Sequence, residues 1–138
     1  MGKHYEIFIG LSYLIWALLT DDKLPLEAYT VINDPKNEIY YSAASVWEIG
    51  MKHSKSPEKM PVFSQLLALC CETADMCSLP ITKEHALAVT SLRHAENTPP
   101  HNGPFDRILI AQAKMEGMIF LTHDHLLKDY DEKCVRTV

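Results

Sequence analysis

The sequence predicts an α/β fold in which a mainly parallel sheet lies between two layers of helices. Short runs rich in β-branched and aromatic residues alternate with segments whose apolar residues recur at helical spacing. Successive parallel strands need crossover connections, and such helices cover both faces of a sheet. The chain has 138 residues, of which 47% are hydrophobic and 22% are charged, as in one globular domain. We therefore expect a three-layer α/β/α sandwich that forms a single domain over residues 1–138.

The beginning of the chain predicts one strand and two helices. Residues 5–9 (YEIFI) are rich in strand-forming residues, and Gly10 ends the run. Ser12 can cap a helix over residues 13–19. Pro25 begins a second helix, because proline is favoured at the first helical position.

The middle of the chain repeats the alternation. Residues 38–42 (EIYYS) predict the second strand, and the apolar or small residues within 43–53 predict the helix that follows it. Residues 54–61 are polar and contain two prolines, so they predict a loop. A further helix over residues 62–74 leads to a short strand over residues 77–79.

The last part of the chain contains the longest irregular stretch, residues 93–104, which is a candidate functional loop. Gly117 is typical of the residue that follows a helix C-terminus. The predicted elements here are helices over residues 85–92, 106–116 and 124–129 and strands over residues 118–121 and 134–137.

Apolar helical faces predict which residues lie in the core. Trp16 and Trp47 both occupy such faces, so we expect both rings to be buried. Cys70 and Cys71 belong to another, and the four cysteines form no C-x-x-C pair. Free thiols in a reducing cytoplasm are therefore expected. The uncharged run over residues 7–19 is too short for a transmembrane helix, so no membrane association is expected.

The net charge of −5 and the pI of about 5.7 argue against a generally basic nucleic-acid-binding surface. A nucleic acid would need a local basic patch, or a metal ion that screens the acids. An acidic chain also suits a basic protein partner.

Three acids lie where the predicted topology can bring them to one edge of the sheet. Glu48 lies in the helix after the second strand, Asp106 opens a helix after the long loop, and Asp124 follows the strand over residues 118–121. Clustered carboxylates repel one another unless a cation lies among them, and oxygen ligands suit Mg²⁺ or Mn²⁺. Helix capping is the alternative explanation for Asp106 and Asp124 taken singly.

The contexts of these acids resemble the motifs of the PIN domain family. Residues 42–49 (SAASVWEI) resemble the family's S-x-x-S-x-W-E-I motif, and residues 104–113 (PFDRILIAQA) resemble P-F-D-R-x-L-I-A-Q-A. Residues 121–124 (LTHD) resemble L-T-x-D. The resemblance extends over nearly the whole chain and points to the VapC-like toxin ribonucleases.

The resemblance implies an α/β/α fold and cleavage of RNA that depends on Mg²⁺ or Mn²⁺. It also implies an antitoxin partner that blocks the site, a homodimer and a cytoplasmic location. Asp106 and Asp124 would hold the ion, and Glu48 would orient or deprotonate a water. The candidate substrate contacts are Ser12, Arg107 and Thr122.

Two basic groups could contact an RNA backbone, although a solvated surface is the simpler interpretation of each. They are Lys52, His53, Lys55 and Lys59, and Arg93, His94 and Arg107.

The chain departs from the family at the first acid, which ends strand one in a D-T-H or D-T-S motif ahead of a helix with a tryptophan. Trp16 aligns with that tryptophan, Ser12 fits the D-T-S form, Leu11 replaces threonine and Gly10 replaces the acid. A direct metal ligand is therefore missing. The protein could be a degenerate nuclease, a weak nuclease, or one changed at this residue for production. An inactive PIN-fold module that holds an antitoxin or RNA is the alternative function.

Overall fold

The computed structural model describes residues 5–93, 103–123 and 132–137. Its strands are β1 (Glu6–Ile9), β2 (Glu38–Ser42), β3 (Cys77–Leu79), β4 (Ile119–Thr122) and β5 (Val135–Thr137). Its helices are α1 (Leu11–Leu19), α2 (Leu26–Ile32), α3 (Ala43–Lys55), α4 (Ser64–Thr73), α5 (Lys83–Ala88) and α6 (Pro104–Glu116). The helix predicted over residues 124–129 and most of the loop predicted over 93–104 lie outside the described residues.

The five described strands form one parallel sheet in the order β3-β2-β1-β4-β5. From β1 the chain adds β2 and β3 on one side, and it then crosses back to place β4 and β5 on the other. The direction of winding thus reverses between β1 and β4. In open parallel sheets, ligands bind beyond the carboxyl ends of the strands at such a reversal.

Alternating side chains send two apolar cores to opposite faces of the sheet. Ile7 and Ile9 of β1 belong to a core that contains residues of α1, α2, α3 and α4. Phe8 and Phe120 belong to a second core that contains the inner face of α6. Because successive strand residues point to opposite faces, these two cores confirm the predicted α/β/α sandwich.

The apolar run near the beginning of the chain is divided between a strand and a helix, as predicted. Gly10 separates β1 from α1, and both elements are short. Across the described ranges, no helix has both the length and the apolar character needed to cross a membrane.

Several predicted helix boundaries move by a few residues. Ser12 was expected to cap α1, but the helix begins at Leu11 and its N-cap is Gly10, so this prediction is wrong. The helix α6 begins at Pro104, because proline suits the first turn, and this places Asp106 within that turn. Gly117 follows α6 in the left-handed conformation, as predicted.

All four cysteines are free thiols, as expected. Cys71 is fully buried in the core beneath α4, and burial raises the pKa of its thiol to about 12. This thiol therefore behaves as a small apolar side chain rather than as a nucleophile.

Candidate acid cleft

A polar cleft of about 220 Å³ lies at the carboxyl ends of β1 and β4, where the winding of the sheet reverses. We call it the acid cleft. Its polar side chains come from Ser12, Glu48, Lys52, Asp106, Thr122 and His123. Its floor is Gly10 together with the ends of the two strands.

Two of the three predicted acids line this cleft. Glu48 lies in the middle of α3, and Asp106 lies in the first turn of α6, so the fold brings together two distant parts of the chain. An acid in the first helical turn is also favoured by the helix dipole, which explains why Asp106 is tolerated there. Asp124, the third predicted acid, lies outside the described residues.

The carboxylate of Glu48 is paired with an ammonium group. Its Oε2 atom lies 3.2 Å from Nζ of Lys52, one helical turn further along α3. The Glu48 side chain is 19% exposed, whereas that of Lys52 is 52% exposed. Glu48 is thus a partly desolvated acid whose charge is balanced from the solvent side. The spacing of four residues could have indicated this pair from the sequence.

Gly10 occupies the position of the missing acid without any conformational need for glycine. Its φ of −81° and ψ of 178° are extended angles that any residue adopts. A Cβ atom built there would lie 3.5 Å from the ring of Phe120 and 3.9 Å from Leu109, which are ordinary contacts. The cleft therefore has room for a side chain at this position.

A buried hydrogen bond lies behind the cleft and joins the two helices that carry its acids. Ser42, the N-cap of α3, accepts a hydrogen bond from the Ala44 amide at 2.9 Å and donates one to Oε1 of Gln112 at 2.5 Å. Gln112 in α6 also donates to the carbonyl of Pro80 at 3.3 Å. Ser42 and Gln112 are both fully buried. The sequence analysis missed this link, because nothing in the spacing pairs a strand end with a helix so far along the chain.

The three predicted substrate contacts are separated by the fold. Ser12 and Thr122 line the acid cleft, Ser12 on the exposed first turn of α1 and Thr122 at the end of β4. Arg107 is not among the residues that line it. Its guanidinium donates to the carbonyl of Val89 at 3.1 Å, on another side of α6. The prediction that Arg107 contacts the substrate in this cleft is therefore unsupported.

The family model of the PIN domain matches residues 7–133 of this sequence. The chain belongs to the PIN domain family. Among curated proteins, none matches the sequence significantly.

Two solved structures share the fold of this PIN domain. A chain of VapBC2 from Rickettsia felis, crystallised with a DNA fragment from its promoter, is 18% identical with a TM-score of 0.67. A chain of DNA-bound VapBC from Salmonella typhimurium is 13% identical with a TM-score of 0.63. Each alignment covers 96% of this chain and 98% of the other. At these identities the likeness establishes the fold.

The donors of the acid cleft in this PIN domain suit a hard divalent cation in kind. Glu48, Asp106 and the hydroxyls of Ser12 and Thr122 are all oxygen donors. Over the described residues, no three His, Cys, Asp or Glu side chains gather closely enough to hold a metal ion. Mg²⁺ keeps several waters and is commonly held by one or two protein carboxylates, so two acids meet its minimum need.

Aromatic rings form one side of the cleft mouth. The ring of His123 lies 5.3 Å from that of Trp16 and 6.0 Å from that of Tyr13. Burial, with a smaller contribution from Glu27, raises the pKa of Tyr13 to about 12, so its hydroxyl stays protonated. Trp16 packs against the core, as predicted.

A second depression, the apolar groove, lies on the other side of α3 and has a volume of about 710 Å³. Its apolar lining includes Trp47, Met51, Ile81, Val89, Phe105 and Ile108. Trp47 was expected in the core, but it is 60% exposed, so that prediction is wrong. Its ring meets Phe105 edge to face at 4.8 Å, at the surface between α3 and α6. The apolar face of α3 is wider than the core it covers, and its edge stays open.

Proposed function

We propose that this chain is a metal-dependent ribonuclease of the VapC-like toxin class, weakened by the glycine at position 10. The observation that carries the proposal is the meeting of Glu48 and Asp106 in one cleft at the carboxyl edge of the sheet. Membership of the PIN domain family supports it. The oxygen-only donors favour Mg²⁺ or Mn²⁺ as the cofactor.

The proposed reaction is hydrolysis of an RNA phosphodiester bond. Asp106 would hold the ion together with Asp124, and Glu48 would share the ion or accept a proton from the attacking water. When bound, the ion would polarise the phosphate and make that water more acidic. The water oxygen bonds to phosphorus, a sugar oxygen leaves, and the released proton passes to Glu48. Lys52 keeps the Glu48 carboxylate oriented at 3.2 Å before substrate arrives.

The substitution Gly10→Asp tests the proposal. The extended backbone and the ordinary contacts of a Cβ atom mean that aspartate enters without strain. We expect RNA cleavage in Mn²⁺ or Mg²⁺ to rise by roughly 100-fold or more, since a direct ligand should matter more than the supporting contacts whose loss costs roughly 10–100-fold. The measurement is the cleavage rate of labelled RNAs of varied sequence, with and without EDTA.

Gly10→Asn is the matched control. It caps α1 as well as aspartate does but adds no charge, so any gain from helix stability alone appears in both variants. If Gly10→Asp stays inert with both ions on varied RNAs, or matches Gly10→Asn, the nuclease proposal fails.

An inactive PIN-fold module that holds an antitoxin is the second candidate, and the apolar groove favours it. The groove exposes Trp47 and Met51 beside the acid cleft, and exposed apolar patches of this kind mark protein interaction sites. The VapBC likeness and the net charge of −5 suit a basic antitoxin-like protein as the occupant. Calorimetry with Mn²⁺ and with the product of the adjacent gene separates the candidates. Tight binding of that product without any Mn²⁺ binding would favour the module.

Two further expectations from the family resemblance remain predictions. A homodimer would appear in light scattering as twice the mass of 15.7 kDa. A cytoplasmic location would appear by fractionation of the native host.

A further inference from the structure

A second groove begins where the acid cleft ends. It has a volume of about 400 Å³ and runs along the end of α3 and the turn that follows. We call it the lysine groove, and it is lined by Lys52, Lys55, Ser56, Lys59 and Met60. Lys52 also lines the acid cleft, so the two depressions share a wall.

The turn after α3 holds the lysine groove in a defined shape. The amides of Lys59 and Met60 both donate to the carbonyl of Ser56, at 3.1 and 2.9 Å. The Nδ1 atom of His53 lies 2.8 Å from the Met60 carbonyl and donates to it. These bonds tie the turn to the body of α3, so Lys59 is held in place relative to the lysines of the helix.

The charge of the groove differs from that of the whole chain. The chain carries a net charge of −5, yet the described residues that line this groove include three lysines and no acid. Glu58, the acid of the same turn, accepts a hydrogen bond from the Ser56 hydroxyl at 2.8 Å. Single surface lysines are ordinary. Three of them along one groove that opens from a polar cleft form a local basic patch of the kind that an acidic nucleic-acid-binding protein needs.

We propose that the lysine groove guides the sugar–phosphate backbone of single-stranded RNA out of the acid cleft. Lys52 lies at the junction, where it can turn from Glu48 to a phosphate, and Lys55 and Lys59 contact the phosphates beyond it. This inference rests on the proposed function, because RNA is taken as the substrate of the cleft. It adds residues outside the cleft that bind RNA by charge and not by sequence.

Binding of a fluorescein-labelled single-stranded RNA, measured by anisotropy in EDTA over a range of KCl concentrations, tests the inference. The variant is Lys55→Gln/Lys59→Gln, which leaves every cleft residue intact. Each lost phosphate contact on a single strand lowers the slope of log K against log salt by roughly 0.7, so we expect a decrease of about 1.4. The matched control is Lys36→Gln/Lys83→Gln, two exposed lysines outside both depressions with the same change in charge.

The inference holds if the groove variant loses affinity and slope while the control keeps both. Equal changes in the two variants, no change in either, or no RNA binding by the parent chain at low salt would overturn it. The outcome is separable from the nuclease test. An inert Gly10→Asp chain whose RNA binding still depends on Lys55 and Lys59 sinks only the enzyme. An active Gly10→Asp chain whose KM ignores them sinks only the groove.

Discussion

The acid cleft and the apolar groove lie on either side of the same two helices but differ in almost every property. Glu48 of α3 and Asp106 of α6 face the cleft, whereas their chain neighbours Trp47 and Phe105 meet in the groove. The cleft is polar, and the groove is mostly apolar.

This division teaches that one short motif can supply two surfaces. Successive residues of a helix are rotated by about 100°, so adjacent positions point in different directions. The W-E pair of α3 and the F-D-R run of α6 are each divided in this way. Arg107, one residue beyond Asp106, points away from the cleft and donates to Val89. Each motif therefore combines a candidate chemical group with a candidate docking group.

The strongest way to break the comparison is to remove the charge of Asp106 and ask whether only the cleft responds. We expect Asp106→Asn to weaken Mn²⁺ binding by roughly 100-fold or more, because a direct ligand should matter more than supporting contacts. Calorimetry with Mn²⁺ provides the measurement. Glu72→Gln, an exposed acid on α4, is the control and should bind Mn²⁺ as the parent does. Unchanged affinity in Asp106→Asn would remove the metal from the cleft.

The complementary change removes the ring of Trp47 from the groove. We expect Trp47→Ala to weaken binding of the antitoxin-like partner by roughly 30-fold, the equivalent of about 2 kcal/mol for an exposed aromatic anchor. Mn²⁺ binding should not change. Leu69→Ala, an equally exposed apolar residue on α4, is the control. Equal losses in Trp47→Ala and Leu69→Ala would mean that the groove has no special role in docking.

The smallest effect on either surface, and the one that sharpens their connection, comes from Ser42→Ala. It removes the N-cap of α3 and leaves Gln112 with an unsatisfied buried oxygen, so the free energy of unfolding in urea should fall by about 2 kcal/mol. Both surfaces should then weaken together by a small factor. Ser54→Ala, an exposed serine of the same helix, should do neither. A change confined to one surface would contradict the shared support.

The fold and two acids of the cleft could be predicted because they depend on local pattern and topology. Alternating strands and helices imply a parallel sheet, and its carboxyl edge collects the residues that follow the strands. The exposure of Trp47 could not be predicted, because apolar periodicity marks a face of α3 without saying how much of it is covered. The bond between Ser42 and Gln112 and the direction of Arg107 depend on how α3 and α6 pack, which no local pattern encodes.

The ordinary geometry at Gly10 has an evolutionary consequence. Glycine codons of the form GGU or GGC become aspartate codons by a single nucleotide change, and the backbone and the surrounding rings would accept the new residue unaltered. A gene in this condition is dormant rather than lost. Selection could restore a toxin from it in one step, without rebuilding any other part of the protein.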